Sequence, residues 1–156
     1  MFRPMRRKGQ ELEKAEALDV LKNARRGVLS VTGDDGWPYG IWLNQFFENG
    51  KIYFHCAKVG HKIDALRKDP RASFTVIDEG VRETGGWDYT FRSVVVFGRV
   101  EFLDDHDEMI EICRRLARRF NPSDADIEDE IRRAGSRVQV IALLPEHITG
   151  KRVHER

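Results

Sequence analysis

Two histidines, a cysteine and three lysines fall close together in the run KIYFHCAKVGHKIDAL, residues 51–66. Alternate side chains of a strand face opposite sides. Ile52, Phe54 and Cys56 therefore share a core-facing side, while Lys51, Tyr53 and His55 share the other. Immediately afterwards Gly60, His61 and Lys62 open a helix. A helix start offers unpaired backbone N–H groups and partial positive charge, which suits a phosphate. His61 and Lys62 would concentrate further donors on the same spot. The same two residues also read as a solvated cationic helix start, and His55 as a half-buried structural histidine. Residue type and spacing leave these alternatives open.

A metal centre is the rival use of these residues, and we expect none. His55 and Cys56 are strand neighbours pointing to opposite faces, so they cannot chelate one ion together. His106 and His147 are remote in sequence, and neither Cys56 nor Cys113 lies in a metal-type spacing. Cys56, facing the core, reads as an inert buried thiol rather than a nucleophile. The chain has no Gly-x-Ser-x-Gly elbow, no Gly-x-x-x-x-Gly-Lys phosphate loop and no Gly-rich dinucleotide fingerprint. The carboxylates of residues 104–111 lie opposite an apolar stripe and read as a solvated helix face.

The elements that must position these residues follow from periodicity. Apolar residues about three apart predict a helix over residues 11–25, stopped by Gly27. Strands are expected over 27–31, 39–48, 51–57, 71–77, 93–103 and 138–144. Asn49-Gly50 between two apolar runs predicts a type I′ hairpin, because both residues accept positive φ. Short helical patterns cover 61–68 and the stretch after Ser123, which carries Ile127 and Ile131. Residues 106–120 form the strongest helix pattern, with Met109, Cys113, Leu116, Ala117 and Phe120 on one stripe. Residues 78–92 read as a Gly-rich, charged loop. The fold class expected is mainly β with flanking helices, about six antiparallel strands forming a meander or barrel rather than a doubly wound sheet.

Composition sets the outer bounds. The 156 residues suit one domain, residues 1–156, with a basic arm over 1–10 and a polar tail over 145–156. Hydrophobic residues are 40% and charged residues 34%, ordinary for a globular chain. No apolar run reaches about 18 residues, so no membrane span is expected. The arm MFRPMRRKGQ leads into Glu11-Leu12-Glu13-Lys14, not an apolar stretch, so we expect a cytoplasmic protein with free thiols. With 27 basic and 26 acidic side chains, the net charge of +1 speaks against nonspecific nucleic-acid binding.

Several segments taken in order carry a family resemblance. The succession PYGIWLNQFFENGKIYFHCAKVGHKIDAL, RASFTV and FRSVVVFGRVEFL resembles the pyridoxamine 5′-phosphate oxidase-like split-barrel flavoproteins, from about Gly27 to Lys151. Within them it is most similar to the nitroimidazole-resistance branch, which the ending HITGK also resembles. The resemblance implies a homodimer of split barrels with two FMN sites at the subunit interface. It implies that Tyr39, Gly40, Ile41, Trp42, Leu43 and Asn44 form the strand beside the flavin. His55 and Cys56 match the next strand's flavin-contacting pair, and His61 and Lys62 the pair that grips the phosphate. Ser93 matches a polar flavin contact on a later strand, and His55 a catalytic residue beside the ring. Trp42 and Phe97 are candidate walls, and Arg92, Thr149 and Lys151 candidate contributions from the partner chain.

Two departures qualify the carry-over. His61 stands where the oxidases carry arginine, which makes one phosphate contact weaker and pH-dependent. The C-terminal Trp and Arg signature of the true oxidases is missing from HITGKRVHER, so vitamin B6 oxidation is not expected. The expected function is an FMN-dependent oxidoreductase passing electrons from a reduced nicotinamide or flavin to a small acceptor, nitroaromatic in the branch resembled. A flavin carrier without a substrate is the alternative from another class, and a haem-binding split barrel a third.

Overall fold

Asn49 and Gly50 take φ of 50° and 77°, the left-handed values that a two-residue type I′ turn demands. The turn joins β3 (Phe46–Glu48) to β4 (Lys51–Ala57), with Glu48 opposite Lys51. The computed structural model describes residues 2–82 and 84–155. Met1 of the expected arm, Glu83 of the expected loop and Arg156 of the expected tail lie outside the described residues.

The other strands are β1 (Arg26–Thr32), β2 (Pro38–Asn44), β5 (Arg71–Ile77), β6 (Val81–Arg82), β7 (Tyr89–Phe102) and β8 (Val138–Glu155). They form one antiparallel sheet in the order β2-β1-β5-β7-β8-β4-β3, with β6 on β7. The sheet curls until β2 and β4 approach each other across its open side, which makes it a split β-barrel. Leu29, Phe54, Phe74, Val94 and Ile141 fill the inside and are fully buried. Phe54 meets Phe74 edge to face at 4.9 Å. The helix α1 (Lys14–Asn23) adds Ala17, Val20 and Leu21 to this core, and α2 (His61–Lys68) adds Ala65 and Leu66.

A second, smaller core lies outside the barrel. Met109 and Ile112 of α3 (His106–Arg118) pack on Tyr53, Val140 and Ala142, which project from the outer side of β4 and β8. The Asp105 carboxylate caps α3 by accepting from the Glu108 N–H at 2.9 Å. Ser123 caps α4 (Asp124–Ala134) by accepting from the Asp126 N–H at 3.3 Å.

Three expectations change. The run 39–48 is two strands, not one, because Gln45 turns its side chain inward. Gln45 is fully buried, and its Nε2 donates to the Leu21 carbonyl at 2.7 Å and to that of Ala24. The run 78–92 is not wholly a loop. It contains β6 and the start of β7, organised by the Asp78 carboxylate, which accepts from the N–H groups of Gly80 and Arg92. The last strand does not stop at residue 144, and the expected polar tail is sheet as far as Glu155. Pro145 is tolerated because the β7–β8 register shifts there: Gly98 faces Pro145 and Phe97 faces His147, leaving Glu146 as the extra residue of a bulge. Among the described residues, six expected strands thus become eight.

The C-terminal carbonyls of α1 would be orphaned without tertiary donors. Besides Gln45, the Arg119 guanidinium donates to Lys22 O at 2.9 Å and Ala24 O at 3.1 Å, and to Gln45 O at 2.7 Å. One side chain so ties α1, the β2–β3 break and the end of α3. Arg119→Met should cost about 2–3 kcal/mol of stability, seen as a lower urea midpoint at unchanged m. A loss below about 0.5 kcal/mol would contradict this role.

Candidate functional site

The start of α2 is built by Gly60, whose φ of 126° and ψ of 169° no side chain adopts easily. A Cβ there would meet nothing within 4 Å, so glycine serves conformation, not space. The N–H groups of Ile63 and Asp64 both donate to Gly60 O, at 2.9 and 3.1 Å. Those of His61 and Lys62 have no backbone partner among the described residues, as the first turn of a helix requires.

The two basic residues here are not equivalent. Lys62 is half-buried and joins no ion pair among the described residues. His61 is turned towards the β1–β2 turn. Its ring stacks on Tyr39 at 4.2 Å, and its Nε2 stands 3.5 Å from Asp34 Oδ2. Lys68 approaches the same carboxylate at 3.6 Å. The His61 ring is thus engaged by Tyr39 and Asp34, whereas the Lys62 ammonium is available.

The strand β2 runs away from this point. It pairs only with β1, so its other edge presents backbone groups without a strand partner among the described residues. Tyr39, Ile41 and Leu43 pack inward on the core, and Gly40 and Trp42 face outward. Trp42 is 65% exposed, with the Arg26 guanidinium 5.9 Å from its ring. Asn44 ends the strand, and its Oδ1 is buried without a hydrogen-bond partner among the described residues.

His55 projects from the outer side of β4, opposite to Phe54, as the alternation requires. With Asn44 it lines one end of a cavity of about 350 Å³ beneath α3 and α4. Its side chain is open to solvent, yet the surrounding protein crowds it. Burial lowers its pKa, and the charge of Lys62 lowers it further. His55 is therefore neutral at pH 7. Burial pushes the Cys56 thiol up against a smaller pull from Lys62, and Cys113 is pushed up to about 11 by burial and then by Cys56. Both cysteines are free and both stay protonated thiols at neutral pH.

Of the residues singled out in the sequence, Tyr39 and His61 stack, Asn44 and His55 line one cavity, and the Lys62 charge acts on His55 and Cys56, all where β2 approaches β4. Ser93 does not reach this place. It sits in mid-β7 between Ile77 and Lys151, and β1 and β5 separate it from β2. Phe97 is on the same strand, 39% exposed and stacked on Phe2 at 5.4 Å. Arg92 is committed within its own chain, to Asp78 at 2.8 Å and Glu16 at 3.2 Å. Sequence reasoning missed Asp34 as the partner of His61, and the cavity between α3 and α4. The paired stripes on those helices were the available signal for the cavity. No group of three or more His, Cys, Asp or Glu able to hold a metal occurs among the described residues.

The comparisons with known proteins agree with this architecture. The chain belongs to the pyridoxamine 5′-phosphate oxidase family, which it matches over residues 13–152. Among solved structures it is similar to a candidate 5-nitroimidazole antibiotic resistance protein from Bacteroides thetaiotaomicron, at 22% identity and TM-score 0.75, covering 92% of this chain and 87% of that one. A conserved hypothetical protein from Mycobacterium tuberculosis is similar at 19% identity and TM-score 0.80, covering 95% and 90%. An FAD-binding protein from Mesorhizobium loti is similar at 25% identity and TM-score 0.66, covering 92% and 97%. No curated protein matches the chain. No helix among the described residues is long and apolar enough to cross a membrane.

The His55–Lys62 coupling is measurable. A histidine whose folded pKa lies below its unfolded value costs nothing above about pH 6.5, and stability falls as the pH drops from there through the folded pKa. In an NMR titration His55 should titrate below about 6.5, and Lys62→Met should move it upward. A His55 midpoint unchanged by Lys62→Met would separate the two residues.

Proposed function

We propose that this chain is an FMN-dependent oxidoreductase acting as a homodimer on a small electron acceptor. The observation that carries the proposal is the start of α2: two unpartnered backbone N–H groups beside an unpaired Lys62, opening onto the unpaired edge of β2. That end suits a phosphate dianion. From Tyr39 to Asn44 the strand then extends on the order of 17 Å, ending at a buried acceptor, Asn44 Oδ1, beside His55. A molecule with a phosphate at one end and a polar ring bearing N–H groups at the other fits that order. FAD binding in the Mesorhizobium loti protein supports a flavin, and the Bacteroides protein supports a nitroaromatic acceptor.

When bound, the flavin supplies hydride and electron transfer between a reduced nicotinamide or flavin donor and the acceptor. The chain supplies the rest. Lys62 and the α2 N–H groups neutralise and orient the phosphate, and Asn44 Oδ1 accepts a hydrogen bond. Neutral His55 can accept a proton on one ring nitrogen or donate from the other, which makes it the candidate catalytic residue. Cys56, held as a thiol, contributes packing and not nucleophilic chemistry.

A second copy of this chain is the partner proposed. The outer side of β2, β1, β5 and β7 leaves Val28 at 42%, Ile77 at 58% and Phe97 at 39% exposed, alongside Trp42, an apolar sheet face that asks for cover. Ser93 lies on these strands, so it would meet a flavin only across the interface.

Titration with FMN should give a yellow protein with one flavin per chain and the mass of a dimer. Lys62→Met should weaken FMN about tenfold or more, and riboflavin, which has no phosphate, hardly at all. A chain that stays colourless with FMN and with FAD would refute the proposal, and a Soret band on haem addition without flavin uptake would replace it.

A further inference from the structure

The cavity between α3, α4 and the outer side of β4 has a chemistry of its own. Leu116 and Phe120 from α3 and Ile127 and Ile131 from α4 form its walls. Its volume of about 350 Å³ lies in the range of small-molecule sites. The helices that enclose it are clamped at the surface, where Arg118 Nε meets Asp124 at 3.1 Å and Arg114 meets Glu128. Those arginines are absent from the lining, and no lysine or arginine is present in it.

Three features set what it can hold. At the inner end Asn44 Oδ1 is a buried acceptor with no donor among the described residues, a state that calls for a partner. Its surroundings are mostly apolar, the other polar side chains of the lining being His55, Asn121, Asp126 and Glu130. At the mouth stand Asp126, which makes no ion pair among the described residues, and Glu130, which has Arg133 at 3.5 Å. His55, neutral at pH 7, brings no positive charge. An anion would face a lone pair inside and carboxylates outside.

We propose that this cavity binds a compact apolar molecule of one or two rings that carries an N–H or O–H donor and no negative charge. The donor meets Asn44 Oδ1, whose two lone pairs can serve this ligand and a flavin ring together, the rings lie between α3 and α4, and positive charge on the ligand is favoured by Asp126. Its identity as the acceptor's site, through the shared His55, rests on the flavin reading; the binding itself does not.

The test uses 1-naphthylmethylamine as the probe and 1-naphthoate as its anionic counterpart, followed by fluorescence on the full chain before and after FMN addition. The amine should bind at least about tenfold tighter than the carboxylate. Ile131→Trp, which fills the cavity from α4, should abolish amine binding while FMN uptake persists. Should that variant unfold, amide shifts in the wild-type chain decide: changes at Ile131, Ala134 and the Asn44 side-chain amide support the site, and changes confined elsewhere overturn it. Equal binding of amine and carboxylate also overturns it. Amine binding without FMN uptake leaves the cavity and removes the flavin; FMN uptake without amine binding does the reverse.

Discussion

The junction of α1, the β2–β3 break and the end of α3 depends on how the C-terminal carbonyls of α1 are satisfied. A helix that ends against a sheet must find donors for them or lose stability. Here they come from two side chains distant in sequence, Gln45 and Arg119. Gln45 can reach them only if the strand breaks, which separates β2 from β3. β2 itself pairs only with β1, and its unpaired edge is what the candidate cleft is made of. Arg119 ties the end of α3, which roofs the cavity over His55, to the end of α1. The same hydrogen-bonding requirement therefore marks where β2 ends and where α3 ends.

Much of the barrel was legible in the sequence because its determinants are local. The Asn49-Gly50 turn, the α2 span 61–68, the β5 span 71–77 and the Ser123 cap stand where residue types put them. What was not legible depends on partners far along the chain. Nothing about Gln45 in isolation says that it plugs a helix end rather than continuing a strand. Pro145 reads as a strand breaker, and only the register shift opposite Gly98 lets β8 carry on to Glu155. Ile112, buried in the outer core, falls off the stripe drawn through Met109 and Cys113, because α3 presents a wider face to the sheet than that stripe covers.

The site shows the same division. Strand alternation placed His55 opposite Phe54, and the helix-start argument placed donors at residues 61 and 62. Neither could separate the two basic residues. The structure does so through Asp34, across the β1–β2 turn, which engages the His61 ring while Lys62 has no ion-pair partner among the described residues. Nor could it show Ser93 three strands from β2, since sheet order is not a sequence property. The same Lys62 charge that suits a phosphate also helps hold His55 neutral, so the grip and the candidate proton-transfer group are electrostatically linked.

The proposed function places a flavin phosphate on the start of α2 with the flavin ring towards Asn44 and His55, and a crystal structure of the FMN complex is its decisive test. Phosphate oxygens should lie within hydrogen-bonding distance of the His61 and Lys62 N–H groups and of Lys62 Nζ, with the ring along β2. A phosphate bound away from α2, or a ring outside the split between β2 and β4, would contradict it.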